Sequence, residues 1–286
     1  MNTCYSRPRI MVHMFDGKKL ADAIRAKIKD RVAAMPQAPG LAVLLVGDDP
    51  ASHLYVRLKQ KACEESGIRF EKFLFSAETD ERILIDTIKE LNAREDVDGI
   101  LVQLPLPAQD ADCVVGAIHP RKDVDGFHPE NVRALKVGKP CLAPPVHLSV
   151  MKLIEASGQN VNGLRAIIVS RSLFAEPLVV LLKERGVTAE IISPDADEVC
   201  AQTRSADIVV VAVGRPHFLM GTHVKPGAII IDIGTTKVNG TIVGDADRAS
   251  VDTVAGWVSP VPGGVGPLTV AYLLLNILKA KQIQIS

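Results

Sequence analysis

The 286-residue chain has no excess charge of either sign. Its 33 Lys and Arg balance 33 Asp and Glu, which gives no electrostatic reason to expect nucleic acid or an anionic membrane as partner. Its five cysteines (Cys4, Cys63, Cys113, Cys141 and Cys200) are scattered, with no Cys-x-x-Cys pair and no His-Glu-x-x-His. A zinc site and a disulfide framework are therefore not expected, and a reducing cytoplasm is the simplest home. Aromatic residues make up only 4% of the chain, as suits an aliphatic core. No apolar run is long enough to span a bilayer, and Met1 to Met14 lack the apolar stretch of a signal peptide. That segment reads as a loose extension that could precede a start at Met11 or Met14. Neither a Gly-x-x-x-x-Gly-Lys-[Ser/Thr] loop, a strict Gly-x-Gly-x-x-Gly nor a Gly-x-Ser-x-Gly elbow occurs, so P-loop and serine-hydrolase readings find no motif. Small molecules are the default partners.

What is present is an alternation of helical and strand-like segments in a 47% hydrophobic chain. Helices are predicted near Gly17 to Ala34, after Asp49 and near Glu81 to Asn92, with strands at Leu41 to Val46, Phe70 to Phe75 and from Gly99. This βαβ rhythm predicts an α/β fold. A proline-rich stretch, Asn131 to Ser149, reads as an irregular bridge, with a helix at Val150 to Ala156. A second alternating set follows, with strands at Leu164 to Val169, Thr188 to Ile192, Asp207 to Val213 and Ala228 to Ile233. A helix is expected to start at Pro177, another lies near Ala196 to Arg204, and the last runs from Val265 to Lys281. The length exceeds a usual single domain, and the boundary is placed near Val146.

Four positions in the first half carry candidate chemistry. Tyr55 and Lys59 lie four apart on a helix that Asp49 can cap and Pro50 can open, so they share a face. That helix follows an apolar run closed by Gly47, and ligands in open α/β sheets bind beyond the carboxyl ends of strands. Gln103 interrupts the end of a second apolar run just before Pro105, where a buried amide needs a partner. Asp125 belongs to Lys122-Asp123-Val124-Asp125-Gly126, a turn whose two carboxylates are expected to face opposite sides, one of them toward a ligand. Each residue also has a plainer reading. Tyr and Lys at helical spacing form an ordinary amphipathic face, a strand-end Gln is a structural hydrogen-bonder, and the aspartates are turn caps or a weak Mg²⁺ site. His53, His119 and His128 are read as structural or exposed.

Longer segments decide between these readings. Val46 to Ser52 leading to Tyr55 and Lys59, Gly99 to Pro107, Lys122 to Pro129, and Pro260-Val261-Pro262-Gly263-Gly264-Val265-Gly266-Pro267 closely resemble the signature segments of the bifunctional methylenetetrahydrofolate dehydrogenase/methenyltetrahydrofolate cyclohydrolase family. Their order and spacing match from about Phe15 to about Leu278. The resemblance implies a folate-binding catalytic domain over residues 1–145, completed by a helix over 266–286, and a Rossmann-type NAD(P)-binding domain over 146–265. It also implies a homodimer. It places folate against Tyr55, Val102, Gln103, Leu104 and Asp125 and under a loop of Pro262, Gly263, Gly264, Val265 and Gly266. Lys59, Gln103, Tyr55 and Asp125 become the catalytic set, with no metal.

The same resemblance assigns cofactor contacts to Ser170, Arg171, Ser172, Ser193, Gly214 and Thr235. Arg171 and Ser193 match the usual contacts to a 2′-phosphate, which favours NADP, with NAD possible. The chain departs from the pattern in Ser170-Arg171-Ser172-Leu173-Phe174-Ala175-Glu176-Pro177. Ser170 stands where glycine is usual, the loop is one residue shorter, and Ala175 with Glu176 replaces a glycine and its neighbour. Thr235-Thr236 replaces Ile-Asn, and Pro144-Pro145-Val146-His147 replaces Pro-Cys-Thr-Pro.

The implied activity is oxidation of 5,10-methylenetetrahydrofolate with NADP⁺, then hydrolysis of the methenyl cation to 10-formyltetrahydrofolate. In this reading Lys59 is kept neutral enough by burial to act as base, Gln103 positions it, Asp125 accepts from the pterin amino-pyrimidine edge and Tyr55 stacks on folate. Three alternatives stay open: a cyclohydrolase that has lost hydride transfer, a noncatalytic folate-binding protein, and a two-domain dehydrogenase acting on an unrelated small acid. The retained Lys59 and Gln103 argue against the second, and the glycine octapeptide against the third.

Overall fold

A computed structural model describes residues 11–285, apart from the side chains of Ser172, Leu173 and Ile285. Its elements in chain order are β1 (His13–Met14), α1 (Gly17–Ala33), β2 (Gly40–Val46), α2 (Pro50–Ser66), β3 (Arg69–Phe75), α3 (Glu81–Ala93), β4 (Gly99–Val102), α4 (Ala111–Gly116), α5 (Pro129–Lys136) and α6 (Pro145–Ala156). There follow β5 (Arg165–Ser170), α7 (Ser172–Lys183), β6 (Thr188–Ile192), α8 (Val199–Arg204), β7 (Ile208–Ala212), β8 (Ile229–Asp232), β9 (Thr236–Val238), β10 (Thr241–Val243), α9 (Arg248–Val251), β11 (Trp257–Val258) and α10 (Val265–Ile285).

Two compact units result. One comprises Lys19–Leu148 with the chain from Pro267 onward; the other comprises Ser149–Gly266 with the residues before Lys19. In the first, three parallel strands in the order β3-β2-β4 form the sheet. All seven residues of β2 are buried, as a central strand covered on both faces requires. Ile28, Val56, Leu273 and Ile277 pack with Val43 and Leu45 in one cluster, and Leu84, Ile88 and Val114 pack with Leu44 and Ile100 in another. Asp49 caps α2 as expected, its carboxylate accepting from Ser52 N at 2.8 Å, with Pro50 opening the helix.

The second unit holds a six-stranded parallel sheet in the order β1-β11-β8-β7-β5-β6. Strand order reverses beside β5, with β6 on one side and β7 on the other, which is the switch point of a doubly wound sheet.

Several sequence expectations are corrected. The stretch Asn131 to Ser149 is irregular only over 137–144: α5 opens at Pro129, with His128 Nδ1 accepting from Glu130 N at 3.1 Å, and α6 opens at Pro145 rather than Val150. Proline starts a helix well because its missing N–H would be unpaired there in any case. Helix α7 starts at Ser172 and carries Pro177 inside it, because no glycine interrupts residues 171–183. A hairpin, β9 to β10, turns through Asn239 (φ 49°) and Gly240 (φ 84°), an Asn-Gly signal that the sequence reading passed over. Part of the expected loose extension is ordered sheet: β1 pairs with β11, and His13 and Phe15 stack on Trp257 at 4.7 and 4.8 Å. The rest of that expectation, residues 1–10, lies outside the described residues.

Candidate functional site

In the first unit the site is built from a helix, a strand end and a turn. Lys59 projects from the middle of α2, and its Nζ donates to Gln103 Oε1 at 2.9 Å. Gln103 follows β4 directly and is held at both ends: its backbone N–H donates to Leu44 O at 2.9 Å and its Nε2 to Leu104 O at 2.7 Å. With the amide nitrogen committed to a carbonyl, the amide oxygen is the end left to face the lysine.

Asp125 arrives on a segment running alongside β4, where Ile100 N donates to Lys122 O at 2.7 Å and Ile100 bridges Asp123 in parallel. Asp125 follows in the turn, close enough to Lys59 for each to influence the other's ionisation. The two aspartates do part company, but strand periodicity would put residues two apart on the same side. The cause is the turn. Asp123 faces inward, accepting from Gly126 N (3.1 Å), His128 N (2.8 Å) and Asn131 Nδ2 (3.0 Å). These three donors make Asp123 the clamp of the turn. Gly126 takes φ 74°, and a Cβ there would lie 2.6 Å from Ala143 C, so only glycine closes it.

Lys59 and Asp125 keep part of their surface open while protein surrounds them. Burial pushes the Lys59 amine below its ordinary range, and the Asp125 carboxylate opposes this more weakly. Burial likewise pushes Asp125 up, against the attraction of Lys59. The arrangement is an amine whose proton is readily lost, with one neutral acceptor and one carboxylate about it.

Tyr55 lies one turn before Lys59 on α2 and is half-exposed. Leu104 is exposed, whereas Val102 is 4% exposed with its side chain in the core, leaving only its backbone for contact. Sequence reasoning missed Asn276 on α10, whose buried Nδ2 donates to Val124 O and to Ala143 O, each at 2.9 Å. It ties down the residue before Asp125, and no local motif marks it. His147 was missed as well. It is fully buried at the start of α6, edge-on to Phe127 at 5.8 Å, and burial pushes its imidazole down to about 3.

In the second unit the glycine loop turns tightly before α10. Gly264 N donates to Pro260 O at 2.8 Å, and Gly263 has φ 110°. A Cβ on Gly17 would sit 1.9 Å from Gly264 O, so two backbones touch there.

At the carboxyl ends of β5, β6 and β7, Ser170, Arg171, Phe174, Pro194, Ala212, Val213 and Arg215 line a cavity of about 400 Å³. Ser193 is exposed beside Pro194, and Thr235 is exposed after β8. The Ser172 side chain lies outside the described residues. Gly214 (φ 69°) belongs to a loop fixed from below by buried Asp245, whose Oδ2 accepts from Val213 N at 2.7 Å and Gly214 N at 3.0 Å. Asp232 fixes the next loop, accepting from Gly234 N (2.9 Å), Asp245 N (3.0 Å) and Ala246 N (2.8 Å); burial pushes its carboxyl up to about 6.

The cavity fits the adenosine end of a dinucleotide: it lies at the switch point, carries two guanidinium groups, and adjoins a helix start with no side-chain cap. The stretch that should meet the pyrophosphate is altered, with Ala175 wholly buried in α7.

Family profiles match both parts of the chain. The profile for the tetrahydrofolate dehydrogenase/cyclohydrolase catalytic domain matches residues 15–125, and that for the NAD(P)-binding domain of the same family matches residues 144–285. The bifunctional protein FolD of Burkholderia multivorans is 45% identical over 275 residues, covering 94% of this chain and 96% of that protein. FolD of Acidiphilium cryptum is 46% identical over 270 residues, with 93% and 97% covered. Among solved structures, the bifunctional methylenetetrahydrofolate dehydrogenase/cyclohydrolase FolD of Campylobacter jejuni superposes with a TM-score of 0.91 at 37% identity, covering 96% of this chain and 99% of that one. FolD of Trypanosoma brucei, complexed with NADP cofactor and inhibitor, gives a TM-score of 0.91 at 32% identity, with 98% and 99% covered. The chain belongs to the tetrahydrofolate dehydrogenase/cyclohydrolase family.

Proposed function

We propose that the chain oxidises 5,10-methylenetetrahydrofolate with NADP⁺ and hydrolyses the resulting methenyl cation to 10-formyltetrahydrofolate. The observation that carries this reading is the Lys59 Nζ to Gln103 Oε1 hydrogen bond of 2.9 Å, made by an amine that burial disposes to lose its proton.

In the hydrolytic step, water adds through its oxygen to the methenyl carbon and gives a proton to neutral Lys59. The carbinol so formed passes its hydroxyl proton to N5 as the carbon–N5 bond breaks, and the formyl group stays on N10. Lys59 then returns its proton to solvent. A neutral amine suits a cationic substrate, because an ammonium beside it would repel it. Gln103 accepts from the amine in either protonation state, so it orients Lys59 without fixing its charge. Asp125 offers two oxygens to the amino-pyrimidine edge of the pterin, and Tyr55 offers a ring face to its flat portion.

When bound, NADP⁺ supplies the oxidant for the first step. Arg171 and Arg215, beside Ser193, are the groups to meet its 2′-phosphate, and the first turn of α7 and Gly214 its remaining phosphates. A second reading, cyclohydrolase with weakened dehydrogenase activity, is favoured by the helix start at Ser172 and the buried Ala175, which put side chain where bare backbone is expected. We also read the protein as a cytoplasmic homodimer; among the described residues no helix is long and apolar enough to cross a membrane.

The test uses purified protein and two substrates. Formation of reduced nucleotide with methylenetetrahydrofolate reports the first reaction, and loss of the methenyl chromophore without nucleotide reports the second. Lys59→Met is expected to abolish the second. Full hydrolysis by that variant removes the assignment, and hydrolysis without nucleotide reduction in the parent protein favours the second reading.

A further inference from the structure

We propose that Asp195 is a specificity-determining residue of the nucleotide site, tempering its preference for a ribose 2′-phosphate through its ion pair with Arg215. This rests on the reading of the cavity beyond β5, β6 and β7 as the adenosine pocket.

Arg171 enters that cavity from the end of β5 and Arg215 from the loop after β7. Pro194, which also lines it, puts Asp195 three residues past the end of β6. Asp195 Oδ1 accepts from Arg215 Nη2 at 2.6 Å. The two side chains are 70% and 50% exposed, so the pair carries little of the folding stability. Its consequence is for what enters the pocket.

The residues after the second strand of a Rossmann-type sheet meet the adenosine ribose. An acid there accepts from the 2′-hydroxyl, and an arginine nearby accommodates a 2′-phosphate. This chain places both chemistries at one rim and bonds them to each other. A guanidinium edge engaged by a carboxylate is not available to a phosphate, and the same carboxylate repels a phosphate dianion while accepting readily from a hydroxyl. Arg171, entering from the end of β5, still favours the phosphate. The pocket therefore accepts both dinucleotides, with a narrower margin for the phosphorylated one than its two arginines alone would give.

The experiment is isothermal calorimetry of the full-length protein with NADP⁺ and with NAD⁺ at one fixed ionic strength, for the parent, Asp195→Asn and Arg215→Gln. Thermal melting of each variant verifies folding. Asp195→Asn is expected to raise the ratio of NADP⁺ to NAD⁺ affinity by roughly three- to tenfold, and Arg215→Gln to lower it by a similar factor. An unchanged ratio in folded Asp195→Asn, or equal shifts for both cofactors, overturns the role of Asp195 while leaving the pocket assignment standing. Binding of neither dinucleotide by the parent overturns the pocket assignment and this inference together.

Discussion

Replacing Gln103 with Glu tests the chemistry of Lys59 more sharply than deleting the lysine, because it keeps the shape and changes only the charge. The amide oxygen lies 2.9 Å from Nζ, so a carboxylate in its place would interact with an ammonium there by about 6 kcal/mol at an effective dielectric of about 20. Lys59 is partly open to solvent, and roughly half of that survives screening. Stabilising the ammonium by about 2 to 3 kcal/mol depletes the neutral amine roughly a hundredfold at a given pH. The sign follows: burial lowers the Lys59 pKa and so keeps the base available toward neutral pH, while the new carboxylate raises it and moves the rise of the pH–rate curve to higher pH. Hydrolysis of methenyltetrahydrofolate, followed from pH 6 to 10, is expected to fall about a hundredfold near neutrality in Gln103→Glu and to recover partly in alkali. Gln103→Met, which lacks the acceptor and adds no charge, is expected to lose rate without moving the curve. An unshifted curve in Gln103→Glu would refute the assignment of Lys59 as the base.

Three further perturbations probe how the site is supported. His147 is held neutral to about pH 3 by burial, whereas its unfolded reference is 6.5, so unfolding takes up a proton between those values and stability falls as pH drops through that window. His147→Leu should remove about 2 kcal/mol of this loss at pH 5, read as a flatter dependence of chemical-denaturation stability on pH; an unaltered slope refutes it. Lys281 and Asp98 form a buried pair at 3.2 Å, and Lys281→Met, which leaves the buried carboxylate without its counter-charge and, among the described residues, with only Gly40 N (2.8 Å) as donor, should cost about 3 kcal/mol with little sensitivity to salt. A cost below about 1 kcal/mol, or one erased by salt, would show the pair to be effectively solvated. Asn276→Ala strands the carbonyls of Val124 and Ala143 and should destabilise by about 2 kcal/mol; because Val124 precedes Asp125, KM for folate should rise more than kcat falls. Equal stability and an unchanged KM would remove Asn276 from the support of the site.

Legibility of this fold followed the range of the interactions involved. Asp49 and Pro50 announced α2 because a cap is a local bargain between one carboxylate and the N–H three residues on, and β2 announced itself because a strand covered on both faces must be apolar throughout. The starts of α6 and α7 turn on proline, whose effect depends on its place in the helix. Pro145 opens a helix, while Pro177 sits within one that has already begun at Ser172.

The candidate site divides in the same way. Lys59 and Gln103 could be named from their segments, since a polar group at the end of an apolar strand must find a partner, and the structure supplies it 44 residues away. Asn276 could not, because its two acceptors lie 152 and 133 residues distant and nothing in the surrounding helix distinguishes it from any other buried amide. Yet it shares with Asp123 the task of holding the turn that carries Asp125: Asp123 gathers the N–H groups of Gly126 and His128, and Asn276 gathers the carbonyls of Val124 and Ala143. Donors are collected by an acid and acceptors by an amide. Among the described residues no hydrogen bond commits the Asp125 carboxylate to a backbone group, which leaves it to answer to Lys59 and to a ligand.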